Sequence, residues 1–100
     1  MTHIFLLVGA PAVGKSTTAR ALATRFPKSI HIPVDDVRDM VVSGLVHPGE
    51  NWGADLIEQL KLARESVTRM AKAYSMAGFA VVIDDFWDPN SHLMEYAELF

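Results

Sequence analysis

The chain reads as an α/β domain built on a parallel sheet, and three observations predict it. Two short, continuous apolar runs, Ile4 to Val8 and Phe79 to Ile83, have the length and character of strands buried on both faces. The segments between them carry apolar residues every three or four positions, the mark of amphipathic helices. The resulting order is strand, helix, strand, helices, strand, helix, which suits parallel strands joined by right-handed crossovers. With 100 residues, half of them apolar, the chain can bury the core of one small domain.

Each element has a local reason. After the first strand, Gly9 to Gly14 form a loop, and a helix begins at Lys15 with Ala19, Leu22, Ala23 and Phe26 on one face. Pro27 stops it, because proline has no N–H to donate and its ring clashes with the preceding turn. Residues 29–34 predict a second strand, Ile30 and Ile32 alternating with His31. Pro33 places this strand at an edge or ends it. Asp35 or Asp36 is then the expected N-cap of a short helix carrying Val37, Met40 and Val41 and closed by Gly44. Residues 45–53 read as a Gly/Pro/His loop. Ala54 to Ala77 is the longest helical pattern, its stripe formed by Leu56, Leu60, Ala63, Val67, Met70 and Tyr74, with Gly78 past its end. Lys61, Arg64, Arg69 and Lys72, with Glu58 and Glu65, form an expected solvated face. The third strand ends at Asp84-Asp85. Asp88 as N-cap and Pro89 at the first helical position start a last helix running from about Ser91.

Composition narrows the function. Charged residues are 21% of the chain and the net charge is -3, so a nonspecific nucleic-acid or membrane-surface binder is not indicated. The absence of cysteine excludes disulfides and thiolate metal sites. No apolar run is long enough for a membrane span, and the first residues lack the basic region of a signal peptide, so a cytoplasmic protein is expected. There are no repeats, low-complexity tracts or linkers. Residues 1–100 are read as a single domain. Three strands are few for a doubly wound sheet, so the expectation is the N-terminal part of a larger domain, lacking C-terminal strands and a lid. An uncovered sheet edge would invite pairing with a second copy.

The chemistry is concentrated in Gly9-Ala10-Pro11-Ala12-Val13-Gly14-Lys15-Ser16, which matches the P-loop pattern G-x-x-x-x-G-K-S/T. Such a loop wraps a phosphate with its backbone N–H groups, and glycine permits the tight turn and close approach. The following helix points its N-terminal amides and positive dipole end at the anion. Lys15 is expected to reach the β- and γ-phosphates, and the Ser16 hydroxyl to ligate Mg²⁺. From average residue usage, a chance match in a chain of this length is about 0.3%. The whole of Gly9 to Thr17 is the expected nucleotide-phosphate site, and the fold class expected is the three-layer α/β fold of P-loop NTPases.

Two carboxylate pairs accompany the loop. Ala80-Val81-Val82-Ile83-Asp84-Asp85 is the Walker-B pattern, an acidic residue at the end of an apolar strand that helps to hold Mg²⁺. Spacing does not choose between Asp84 and Asp85. Asp35-Asp36-Val37-Arg38 follows the second strand, at the sheet edge where ligands of open α/β folds sit. Asp35 there would accept a proton from an acceptor hydroxyl, and Arg38 would bind an anionic group. The bland alternative is a helix cap with an Asp–Arg pair three residues apart.

Together, G-x-P-x-x-G-K-S-T, then D-D-x-R, then an apolar strand ending in Asp resemble the small P-loop kinases. The nearest likeness is to the kinase domain of 5′-hydroxyl polynucleotide kinases, with similar arrangements in zeta-toxin-like and chloramphenicol-phosphotransferase-like kinases. The resemblance covers essentially all of the chain and corresponds to the N-terminal part of those domains. It implies that Lys15 and Ser16 bind phosphates and Mg²⁺, that Asp35 is the general base, that Arg38 contacts the acceptor, and that Asp84 or Asp85 supports the active site. The chain departs from those kinases at Val34, where they tend to have a basic residue, and at Ala12, where a second loop glycine is common. It also has no arginine after Arg69, where they carry an Arg-bearing lid.

The expectation is therefore an ATP-dependent phosphotransferase using Mg²⁺ and an unidentified hydroxyl acceptor: a small molecule, a nucleotide or a 5′-hydroxyl end. The acidic charge argues against extended nucleic-acid binding. The alternatives are an ATP-hydrolysing NTPase, for which no glutamate follows the third strand directly, and a non-enzymatic nucleotide-binding module. His3, His31, His47 and His92 lack metal-ligand spacing and are read as strand or surface residues. Trp52 and the Phe86-Trp87 pair either stack on an acceptor or cover the core.

Overall fold

The computed structural model describes residues 2–9, 14–49, 53–86 and 94–100. Three parallel strands, β1 (Ile4–Gly9), β2 (Ser29–Pro33) and β3 (Ala80–Phe86), form a sheet in the order β1-β3-β2. Helix α1 (Lys15–Ala23) joins β1 to β2, while α2 (Val34–Arg38) and α3 (Ala54–Met76) lie between β2 and β3, and α4 (Glu95–Leu99) follows. The three-layer parallel α/β arrangement is the one the sequence predicts. β2 is both an edge strand and ended by Pro33, whose missing N–H faces no ladder on its outer side.

The strand period of two divides the core. On one face Val81 and Ile83 of β3 pack with Ile32, Val34, Ala63, Val67 and Ala71 under α3. On the other, Val82 packs with Ala19 and Ala23 under α1, flanked by Phe5, Leu7 and Leu22. β3 is buried along its whole length, as a central strand between two helical layers must be.

Five local expectations are corrected. α1 ends at Ala23, three residues before Phe26, and single turns carry the chain to Pro27. The N-cap position of α2 is Pro33, and Asp35 and Asp36 sit inside the first turn, where their charge still complements the helix dipole. α2 also stops at Arg38, leaving Met40 and Val41 in an exposed turn. In α3 the buried stripe continues through Ala71 and Ser75, and Met70 and Tyr74 are more than a third exposed. Small residues let this end of the helix close on the sheet. Ser75 is satisfied there, its hydroxyl donating to the Thr2 carbonyl at 2.9 Å and accepting from the Thr2 N–H at 3.2 Å.

The fifth correction concerns Arg64, expected on the solvated face of α3 but 0% exposed. Its Nε donates to Asp85 Oδ2 at 2.8 Å, and the Tyr96 hydroxyl donates to the same oxygen at 2.8 Å. The Phe86 and Tyr96 rings flank the guanidinium at 5.9 and 5.8 Å. Burial and the adjacent Asp85 charge hold the Tyr96 phenol protonated, well above its ordinary range. The cluster ties α3, β3 and α4 together. Phe86 joins Leu56 and Leu60 in a third apolar group, so of the Phe86-Trp87 pair the phenylalanine belongs to the core. Trp87, Trp52 and the expected Asp88-Pro89 helix start lie outside the described residues.

Arg64→Ala would strand the buried Asp85 carboxylate, and its expected cost is about 3–5 kcal/mol of stability. A urea titration of the folded chain measures it. A loss below about 1 kcal/mol, the level of an exposed ion pair, would mean that the pair is solvated.

Candidate functional site

The site lies at the carboxyl end of the sheet, where β1 and β3 end side by side, Val8 opposite Asp85 and Gly9 opposite Phe86. Gly14 takes the left-handed conformation, φ 81°, at the N-cap of α1, a geometry that L side chains rarely adopt. This starts the helix at Lys15 without a side-chain cap, and the first-turn amides are left for another acceptor. Ala10, Pro11, Ala12 and Val13 of the expected phosphate loop lie outside the described residues.

Asp84 is the meeting point. Its side chain is 1% exposed, and Lys15 Nζ lies 3.2 Å from its Oδ1. The Ser16 hydroxyl is 3.4 Å from each carboxylate oxygen, and His31 Nε2 contacts Oδ2. An ammonium, a hydroxyl and an imidazole thus surround one buried carboxylate. The residue pair left open by spacing is separated by the strand period. Asp84 points to the α1 face and Asp85 to the α3 face, where Arg64, Tyr96 and the Phe86 N–H occupy it. Asp85 is accordingly withdrawn as a metal-ligand candidate, and the reason is that its oxygens are committed on the far side of the sheet.

The second pair divides as well. Asp35 is half-exposed and feels the charges of Lys15, Asp84 and Asp85. Burial raises its carboxyl above the ordinary value. Lys15 pulls it down, Asp85 pushes it up, Arg38 pulls it down and Asp84 pushes it up. Asp36 instead lines a cleft of about 430 Å³ with Ser16, Thr17, Arg20, His31 and Pro33.

Arg38, expected to contact an acceptor, is turned inward. It is 7% exposed, its Nη2 donates to the Val46 carbonyl at 2.6 Å, and Nη1 is 3.9 Å from Asp35 Oδ1. It lines a small apolar cavity of about 130 Å³ between α2 and α3 with Val37, Val41, Leu45, Leu62 and Ala63, apart from the cleft beside Ser16. In this position it anchors the loop after α2.

Sequence reasoning passed over His31, Arg20 and Asp36. For His31 a signal existed. It alternates with Ile30 and Ile32, whose side chains enter the core under α3, so it had to face α1. Only the register, His31 opposite Val82 and therefore two residues short of Asp84, brings it to the site. The spacing of the histidines along the chain carried no such information.

A parallel α/β sheet whose first strand leads through a left-handed glycine into a Lys-Ser helix, with a buried strand-end carboxylate beside both, defines a P-loop nucleotide-binding, kinase-like domain. Residues 4–100 match the family described as AAA domain, and the chain belongs to that family. A chain in the solved structure of a Pnkp1/Rnl/Hen1 complex superposes with a TM-score of 0.65 at 23% identity, covering 99% of this chain and 31% of that one. This chain therefore spans about a third of the length of that neighbour. No curated protein matches the sequence. Among the described residues, no helix is long and apolar enough to cross a membrane.

The raised Asp35 pKa predicts a stability change. The folded chain holds this proton to higher pH than the unfolded chain does, so stability falls as pH rises from 3.8 through the folded-state pKa, and the deficit persists above it. Asp35→Asn is expected to be more stable than the wild type at neutral pH and equal to it below pH 3.8. Urea midpoints at both pH values decide this, and a variant less stable at neutral pH would contradict it.

Proposed function

We propose that the chain is an ATP-dependent phosphotransferase that moves the γ-phosphate of Mg·ATP to a hydroxyl acceptor. The observation that carries this reading is the convergence of Lys15 and Ser16 on the buried Asp84 carboxylate, with Asp35 in the electrostatic field of the same group. The donor chemistry fits Mg²⁺, since Ser16 and Asp84 offer hard oxygens and Asp84 is buried among groups that stabilise its charge. Held by Ser16 and Asp84, Mg²⁺ would neutralise negative charge that develops on the transferring phosphoryl group.

The roles of the chain's own residues follow from their chemistry. The amides at the start of α1 receive phosphate oxygens. Lys15, held by Asp84 in the free chain, turns to the β- and γ-phosphates as a point charge. Asp35 accepts the proton of the acceptor hydroxyl while that oxygen bonds to the γ-phosphorus. The bond from the γ-phosphorus to the β,γ-bridging oxygen breaks, and ADP leaves. Burial raises the Asp35 pKa, which makes its carboxylate a stronger base toward the proton of the acceptor hydroxyl. The cleft bordered by Arg20, Asp36 and Pro33 is the proposed acceptor approach. The acceptor class expected is a small molecule, a nucleotide or a 5′-hydroxyl end. The family match supports the kinase-like part of this reading, and the fold shared with the Pnkp1/Rnl/Hen1 neighbour accords with it.

Calorimetric titration of Mg·ATP is expected to show binding that weakens about 10- to 100-fold in Lys15→Ala, the worth of a charge-assisted hydrogen bond. Equal binding by the variant would remove Lys15 from the phosphate site. Transfer of labelled γ-phosphate to a panel of hydroxyl compounds is expected to fall about 10²- to 10⁴-fold in Asp35→Asn, with nucleotide affinity retained. Undiminished transfer would exclude Asp35 as the base, and binding with no transfer to any acceptor would leave a nucleotide-binding module.

A further inference from the structure

Asp84 receives one group that neither a phosphate loop nor a strand-end carboxylate calls for. His31 arrives from β2, the neighbouring strand, opposite Val82 and on the α1 face that Asp84 shares. Its side chain is 10% exposed and its Nε2 contacts Asp84 Oδ2. The ring also borders the cleft that Ser16 and Thr17 line, so it stands at the wall of the site and is not sealed in the apolar core.

We propose that His31 is a third protein donor to the divalent cation that accompanies the nucleotide, and that it gives the site a preference for a nitrogen-accepting cation such as Mn²⁺ or Co²⁺ over Mg²⁺. This rests on the nucleotide-site reading above. Ser16 and Asp84 supply oxygen, which serves Mg²⁺ and the later metals alike. Imidazole nitrogen binds first-row transition ions well, and Mg²⁺ favours oxygen and retained water. In the free chain the Nε2–H of His31 donates to the carboxylate. With the proton on Nδ1 instead, the neutral ring presents the Nε2 lone pair on the same side as the Asp84 oxygens. Among the described residues no three His, Cys, Asp or Glu side chains form a metal cluster. The cation would enter with the nucleotide, whose phosphates supply further oxygen donors. Placing a ring nitrogen beside Asp84 selects among cations without adding a charge to a site that must also hold triphosphate.

The test loads the purified chain with Mn²⁺ and a non-hydrolysable ATP analogue and records the electron spin echo modulation of the ion. A directly bound histidine nitrogen is expected, changing to the ¹⁵N pattern in protein grown on ¹⁵N-histidine. The coupling should vanish in His31→Gln and persist in His3→Gln, which alters a residue at the opposite end of the sheet. The ratio of Mn²⁺ to Mg²⁺ affinity in the nucleotide complex should fall about 10- to 100-fold in His31→Gln. The isotope experiment needs no mutation, so a variant that fails to fold does not shelter the proposal. If the Mn²⁺ complex forms without a nitrogen coupling, or keeps it in His31→Gln, the role of His31 is overturned and the nucleotide site stands. If the folded chain binds no Mn²⁺–nucleotide complex, both readings fall.

Discussion

Two adjacent carboxylates, Asp84 and Asp85, stand at the end of the central strand with 1% and 0% exposure, and the rest of the structure is arranged around them. Burying two like charges side by side is costly unless each finds its own partners. A strand solves this by geometry, because successive side chains leave on opposite faces. Asp84 is met by Lys15, Ser16 and His31 on the α1 side. Asp85 is met by Arg64 and Tyr96 on the α3 side. The sheet keeps the two sets apart, so one carboxylate holds the scaffold and the other faces the candidate site.

This division links stability to the site. The Asp85 cluster joins α3, β3 and α4 and so fixes the direction of the strand end from which Asp84 projects. A buried ion pair of this kind contributes little net stability compared with an apolar substitute, but removing one partner is expensive. Its value here is positional, since a peptide unit anchored on one face has little freedom to move a side chain on the other. Asp35 has the opposite character. It is half-exposed, and the fold makes its ionised form less comfortable than water would. Strain of that sort suits the role of general base proposed for Asp35.

Much of the architecture was legible from local pattern. The apolar run of β1, the amphipathic period of α1 and α3, and the proline at the end of β2 each rest on interactions within a few residues. Errors arose where a tertiary contact outweighed local preference. The α3 stripe shifted to Ala71 and Ser75 because the small residues permit close approach to the sheet and to Thr2. Arg64 left the predicted solvated face because Asp85, distant in sequence, offered a buried partner. Arg38 turned to the Val46 carbonyl of the following loop, a bond that no motif spacing announces.

By itself the sequence determined the order of strands and helices, the parallel α/β class and the presence of the P-loop motif Gly9 to Ser16. These follow from side-chain period and from a contiguous motif whose residue types are set by the chemistry of wrapping an anion. Only the tertiary structure decided that Asp84 and not Asp85 stands beside Lys15 and Ser16, that Arg38 points away from the cleft, and that His31 joins the site from another strand. The physical reason is that β-register and facing are relations between segments. One residue of slip between β2 and β3 would turn His31 to the other face, and no local pattern along a single segment encodes that choice.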